Sequence, residues 1–174
     1  MNSKKTNAPV DVQGRTQSIL DYVGQHESKG DYNALVYGKK GSDVPTSADL
    51  TDMTLNQVLN YQTHMIGAGH ASTAVGKYQF IKATLKGLIR QSGLDPETTK
   101  FDAATQDRFA TMLLQEAGLD KYNKGAISPE QFGEGVAKIW ASIPLSSGKS
   151  AYEGIAGNKA GASYSNFMDV LTGA

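Results

Sequence analysis

The residues best suited to chemistry lie in one short stretch, Gln25-His26-Glu27-Ser28-Lys29-Gly30-Asp31-Tyr32-Asn33. Before it, Ile19, Leu20, Tyr22 and Val23 recur at the spacing of one buried helical face. After it, Gly30 and Asp31 are breaker and turn residues. Glu27 is therefore expected at the C-terminal end of an apolar helix, with its carboxylate directed into a cleft. Apolar walls disfavour a carboxyl's charged form and raise its pKa. The helix macrodipole acts in the same direction, since a helix C-terminus repels negative charge. A glutamic acid kept protonated near neutral pH is suited to general acid catalysis. The competing reading is a solvated surface group, which most glutamates near helix ends are.

The histidines suggest a second chemistry, metal-assisted hydrolysis. Zinc peptidases need His and Asp or Glu ligands in close sets. His26 neighbours Glu27, and His64 and His70 lie in or near a loop, but no His-x-His or His-Glu-x-x-His set is present. No metal is expected.

The elements that must position Glu27 come from a chain of 174 residues, enough for one domain with a real core. Seventeen basic and seventeen acidic residues cancel, and no Lys/Arg block beyond Lys4-Lys5 gives a nucleic-acid footprint. The absence of cysteine excludes a disulfide framework, a Cys-rich zinc site and a thiol nucleophile. No apolar run approaches the roughly 18 residues of a membrane span. Residues 1–14 are polar, lack an apolar signal-peptide core, and read as a flexible lead to a single domain over 15–174.

Along that domain the first helix is expected from about Arg15 to Glu27. Ala34-Leu35-Val36-Tyr37, followed by the turn-rich Gly38 to Asp43, suggests a small β-hairpin or extended lobe. Thr54 and Gln57 match a capping box and should start a short helix through Val58, Leu59 and Tyr61. Gly67 to Gly76 is a long small-residue loop, and such loops in compact domains are often functional. Helices should follow around Leu85, Leu88 and Ile89, ended by Gly93. The next is capped by Asp102, buries Phe109, Met112, Leu113 and Ala117, and stops at Gly118. Ser128-Pro129-Glu130-Gln131 is a strong helix start, with Phe132, Val136, Ile139 and Trp140 at helical spacing before Pro144. A Gly/Ser/Lys-rich segment, 146–162, contains Tyr152, and a last helix carries Phe167, Val170 and Leu171. The expected fold class is mainly α, with a small β or extended lobe.

Three motifs in order carry a resemblance: Glu-Ser-Lys-Gly-Asp-Tyr-Asn at 27–33, Ala-Val-Gly-Lys-Tyr-Gln-Phe at 74–80, and Ile-Trp-Ala-Ser-Ile-Pro at 139–144. From about Ile19 to Phe167 the chain resembles the lysozyme-like superfamily of peptidoglycan-cleaving enzymes. Within it, the lambda-type phage endolysins, which are lytic transglycosylases, and related phage muramidases are the most similar. The resemblance implies an α+β lysozyme-like fold with two lobes and a cleft, the bacterial cell wall as substrate, and no cofactor. It implies that Glu27 is the catalytic acid. It puts Tyr78, Gln79 and, in a less regular glycine context, Tyr152 against the sugar. Ser28, Tyr32 and Asn33 join them as candidate substrate-binding residues, although backbone and turn hydrogen bonding explains Ser28 and Asn33 as well. Trp140 reads as packing rather than as a sugar platform.

Glycosidases normally use two carboxylates. The candidates for a second are Asp31, Asp43 and Asp52; position 36, where T-even phage lysozymes carry an aspartate, is Val36. A lone acid suffices for a lytic transglycosylase, because the sugar's own C6 hydroxyl is the nucleophile, so that activity is preferred to a hydrolytic muramidase. A peptidoglycan endopeptidase and a non-catalytic wall-binding module are the remaining alternatives. The expected protein is a monomer that binds peptidoglycan, with no nucleic-acid partner and no stable membrane insertion. It works in the periplasm after release from the host cytoplasm during lysis, or from a virion.

Overall fold

Asp11 begins the first helix by accepting the backbone N–H of Gly14 on its side chain at 2.9 Å. This satisfies one of the donors left without a partner in an opening turn. The computed structural model describes residues 11–35, 48–155 and 158–174. Among them are seven α-helices: α1 (Val12–Ser28), α2 (Leu55–Gly67), α3 (Lys82–Ser92), α4 (Ala103–Glu116), α5 (Leu119–Asn123), α6 (Pro129–Ala137) and α7 (Tyr164–Thr172). A single 3-10 turn, Leu50–Asp52, precedes α2. The fold is mainly helical, as expected. Among the described residues, pairing of extended backbone is confined to isolated antiparallel bridges, Leu35 with Val75, Val75 with Phe80 and Thr54 with Lys100. The small β lobe expected around 34–43 lies largely outside the described residues.

Local chemistry accounts for most helix ends. Thr54–Gln57 and Ser128–Gln131 both form reciprocal capping boxes, and Pro129 occupies the first position of α6. Asp102 accepts the Thr105 N–H at the start of α4, and Gly93 closes α3 in the left-handed region. Three boundaries differ from expectation. Helix α1 starts at Val12, so residues 12–14 belong to its first turn rather than to a lead. The chain resumes as α5 immediately after Gly118, whose φ of 107° suits glycine. Helix α6 stops at Ala137, so Ile139 and Trp140 stand in the turns beyond it. Trp140 is nevertheless buried, and its indole N–H donates to the Tyr78 carbonyl at 3.0 Å. Its backbone N–H still donates to Val136 O at 3.1 Å, so the helical spacing persists for one bond past α6 while the side chain is fixed by a tertiary contact.

The core joins Ile19, Leu20 and Val23 of α1 to Phe109 and Leu113 of α4, Phe132 of α6 and Phe167 of α7. Helix α7 packs on both α1 and α6. Tyr22 stacks on Phe167 with centroids 5.7 Å apart, and the Tyr122 hydroxyl donates to the Leu171 carbonyl at 2.5 Å. The C-terminal helix thus braces the helix that carries Glu27. No described helix is long and apolar enough to cross a membrane.

Candidate active site

Glu27 occupies the penultimate position of α1. The helix ends sharply because Lys29 takes the left-handed conformation, φ 58°, donating its N–H to Gln25 O at 3.0 Å. Ser142, from the loop after α6, meets the carboxylate. Its Oγ–H donates to Glu27 Oε1 at 2.5 Å and its N–H donates to the same oxygen at 3.3 Å. Burial pushes the Glu27 carboxyl above its usual range, and the two Ser142 donors oppose that shift without cancelling it. No hydrogen bond from a described residue reaches Oε2.

The Gly76-Lys77-Tyr78-Gln79 motif is the loop of a minimal hairpin. Val75 and Phe80 exchange backbone hydrogen bonds at 3.1 and 2.9 Å on either side of it. Gly76 has φ 80°, and a Cβ there would stand 2.4 Å from Gln106 Oε1, so both conformation and space require glycine. The three following side chains diverge. Lys77 turns inward under α1, where its Nζ pairs with Asp21 at 3.2 Å and lies 4.9 Å over the Tyr32 ring. Tyr78 is buried, and its hydroxyl donates to Asp107 at 2.6 Å. Its phenol is held far above the usual range by burial and by the Asp107 carboxylate. Gln79 sits at φ 52°, a left-handed position uncommon outside glycine, with its Nε2 donating to Gly76 O at 2.9 Å.

These groups meet at a cleft of about 960 Å³. Glu27, Tyr78, Gln79 and Tyr152 line it, as do Gly69 to Ser72 and Ala74 of the rim loop singled out in the sequence. Tyr152 is half-exposed, with its hydroxyl hydrogen-bonded to the Lys138 carbonyl. Ser28, Tyr32 and Asn33 do not line the cleft. Ser28 donates to Lys77 O at 2.8 Å and accepts the Asp31 N–H at 3.1 Å. Tyr32 donates to Asp107 at 2.9 Å, and Asn33 Oδ1 accepts the Thr51 N–H at 3.0 Å. All three side chains buttress the turn behind Glu27. Of the carboxylates considered as a second catalytic group, Asp31 and Asp52 stand outside the cleft, and Asp43 lies outside the described residues.

Sequence reasoning missed three cleft or cleft-wall groups. Ser142 stood in the motif that carried the resemblance, but nothing local shows it facing Glu27. Glu116, the last residue of α4, lines the cleft and is a second carboxylate there. Lys138 is a cation in the same lining. Among the described residues no group of three or more His, Cys, Asp or Glu is placed to hold a metal ion.

With a half-buried carboxyl of raised pKa in the cleft, the family comparison becomes decisive: the model of the Endolysin family matches residues 18–165. The chain belongs to the Endolysin family. No curated protein and no solved structure matched. The matched region runs from the core face of α1 to the first turn of α7 and contains every cleft-lining residue named above. As an endolysin of lysozyme-like type the protein is a phage enzyme that degrades peptidoglycan and acts on the bacterial cell wall.

Proposed function

We propose that this endolysin is a lytic transglycosylase of the lambda type, formed by a single catalytic domain that opens with α1 at Val12. It would cut the β-1,4 bond between N-acetylmuramic acid and N-acetylglucosamine, with Glu27 acting first as acid and then as base. The observation that carries this reading is the Glu27 carboxyl itself. It is pushed toward its protonated form by burial, anchored through Oε1 by Ser142, and left with Oε2 unengaged beside the cleft.

In the first step the Glu27 carboxyl gives its proton to the glycosidic oxygen, and the bond from that oxygen to C1 of the muramic sugar breaks. In the second, the carboxylate takes the proton of the same sugar's C6 hydroxyl while O6 bonds to C1. A 1,6-anhydro ring results, no water is consumed, and Glu27 regains its proton. Ser142 holds the carboxylate in register through both steps. Gln79 and Tyr152 are proposed to line the sugar subsites, with Tyr78, buried and bonded to Asp107, proposed to fix the hairpin loop. Ser28, Tyr32 and Asn33 are proposed to position the Glu27 turn, not to touch sugar.

A hydrolytic muramidase is the second reading, favoured by the presence of Glu116 in the same cleft. A carboxylate across from the acid is what an inverting hydrolase uses to activate water. Mass spectrometry of the soluble products from purified peptidoglycan separates the two. Ends of 1,6-anhydro-N-acetylmuramic acid are expected; reducing muramic ends would establish hydrolysis. Intact glycan with cut peptides would overturn both. Glu27→Gln is expected to lower turnover by about 100- to 10,000-fold, the range of a lost general acid, with the fold retained. Full activity in that variant would remove Glu27 from the mechanism.

A further inference from the structure

Helix α4 ends in a charge of the wrong sign. Its partial negative pole favours a cation in the last turn, yet α4 has no basic residue there and finishes on Glu116. No ion pair or hydrogen bond from a described residue neutralises that carboxylate, which is exposed. Glu116 therefore weakens its own helix end without local compensation, and such violations of local preference tend to mark functional positions. The carboxylate is also not at an arbitrary surface point. Leu113, one turn earlier on the same face, lines the cleft with it, and Ile81 and Thr84 at the start of α3 line the same cleft. A free carboxylate at a helix C-terminus, with apolar Leu113 one turn away in the same lining, suits an ammonium carried on an alkyl chain.

We propose that Glu116 and the end of α4 form a subsite for an ammonium group of the substrate. The inference rests on the reading of this cleft as the peptidoglycan site. Peptidoglycan's N-acetylated sugars carry no positive charge. Its ammonium groups are the free side-chain amines of diamino acids in the stem peptides, and glucosamine nitrogens that have lost their acetyl group. At about 960 Å³ the cleft is at the upper end of ordinary ligand sites, so a stem peptide can lie beside the glycan. Glu116 is then a specificity residue, reading whether the strand bears a cation. Lys138, which lines the same cleft without an ion pair to Glu116, leaves the carboxylate available.

The test compares KM and kcat on peptidoglycan with free stem amines, on the same material after amine acetylation, and on peptide-stripped glycan with and without partial de-N-acetylation. For the wild-type protein KM is expected to be about two- to five-fold lower with free amines than with blocked ones, the range of a solvent-exposed ion pair. In Glu116→Gln that ratio should fall to about one, and in Glu116→Lys it should invert. A ratio that follows stem acetylation assigns the stem amine; one that follows de-N-acetylation of stripped glycan assigns the sugar amine. A ratio unchanged in Glu116→Gln overturns the subsite. So does an equal loss of kcat on every substrate, which would place Glu116 in the bond-breaking chemistry. If the wild-type protein cuts no glycan bond in any of these materials, the reading of the cleft fails instead.

Discussion

Glu27 and Ser142 form the pair on which the proposed chemistry depends, and each can be tested through pH. The Ser142 donors stabilise the Glu27 carboxylate and hold its pKa below what burial alone would impose. Ser142→Ala removes the 2.5 Å hydroxyl donor and leaves the weaker N–H contact. The Glu27 pKa should rise further, moving the basic limb of the kcat/KM profile to higher pH. A limb that stays in place would show that Ser142 does not set the acid's strength. The same shift is also a statement about stability. A carboxyl whose folded pKa lies above its unfolded value contributes stability fully present below the unfolded pKa and lost as pH rises through the folded one. Glu27→Gln, which keeps an oxygen acceptor for Ser142 and carries no charge, should therefore melt higher than the wild-type protein near neutral pH. The gap should close as pH falls into the ordinary carboxylate range. Melting curves across that window check the sign.

At the scale of elements, the decisive contact is the one that seats the end of α1 on the hairpin loop. Asp21, Gly24 and Ser28 lie along one face of α1, and all three meet Lys77. Asp21 pairs with its ammonium at 3.2 Å, Ser28 donates to its carbonyl at 2.8 Å, and a Cβ on Gly24 would fall 2.4 Å from its Cε and 2.9 Å from its Cγ. The whole lysine stem crosses the helix at Gly24, so no rotation of one terminal bond relieves an added methyl. Gln106, also fully buried, holds the other side: it accepts the Lys77 N–H at 2.9 Å and donates to Tyr32 O and Phe101 O. Gly24→Ala should cost about 1–3 kcal/mol, the usual penalty for overpacking. In a Lys77→Ala background the same change should cost clearly less, since the atoms it strikes are gone. Additive penalties in denaturant titrations of the four proteins would mean that the two residues do not share this contact.

Across the whole molecule, the first and last described helices clasp one another, and this closure keeps the α1 terminus rigid. Phe167 of α7 is fully buried and stacks on Tyr22 of α1, which in turn lies 4.6 Å from the His26 ring next to Glu27. Phe167→Ala should lower stability by about 3–5 kcal/mol, as for other large aromatic truncations in cores. Its loss of activity should track the unfolded fraction as temperature rises. A normal melting temperature would show that α7 does not brace α1. The rim loop 67–76 is held differently, by the buried Gln62, whose Nε2 donates to Thr73 O at 2.8 Å and Phe80 O at 3.0 Å.

What the sequence alone determined about this protein was the local part: the helices, most of their caps and the position of Glu27 at a helix end. Helical periodicity, capping boxes and glycine breakers act over a few residues, so they are written where they operate. The resemblance carried by motifs at 27–33, 74–80 and 139–144 supplied the family. Tertiary structure decided what each side chain faces. Ser142 meets Glu27 across 115 residues and Tyr32 meets Asp107 across 75, and no local pattern encodes such partners. The same limit explains Trp140. Its spacing from Val136 fits a helix and its backbone N–H does donate to Val136 O, but α6 ends at Ala137 and the indole bond to Tyr78 O is a partner no local pattern shows. It also explains why, among the described residues, the second carboxylate in the cleft is Glu116 rather than Asp31 or Asp52, which are closer to Glu27 in the chain. Which groups share a cleft depends on how helices pack, and packing is set by the sum of long-range contacts rather than by neighbours in sequence.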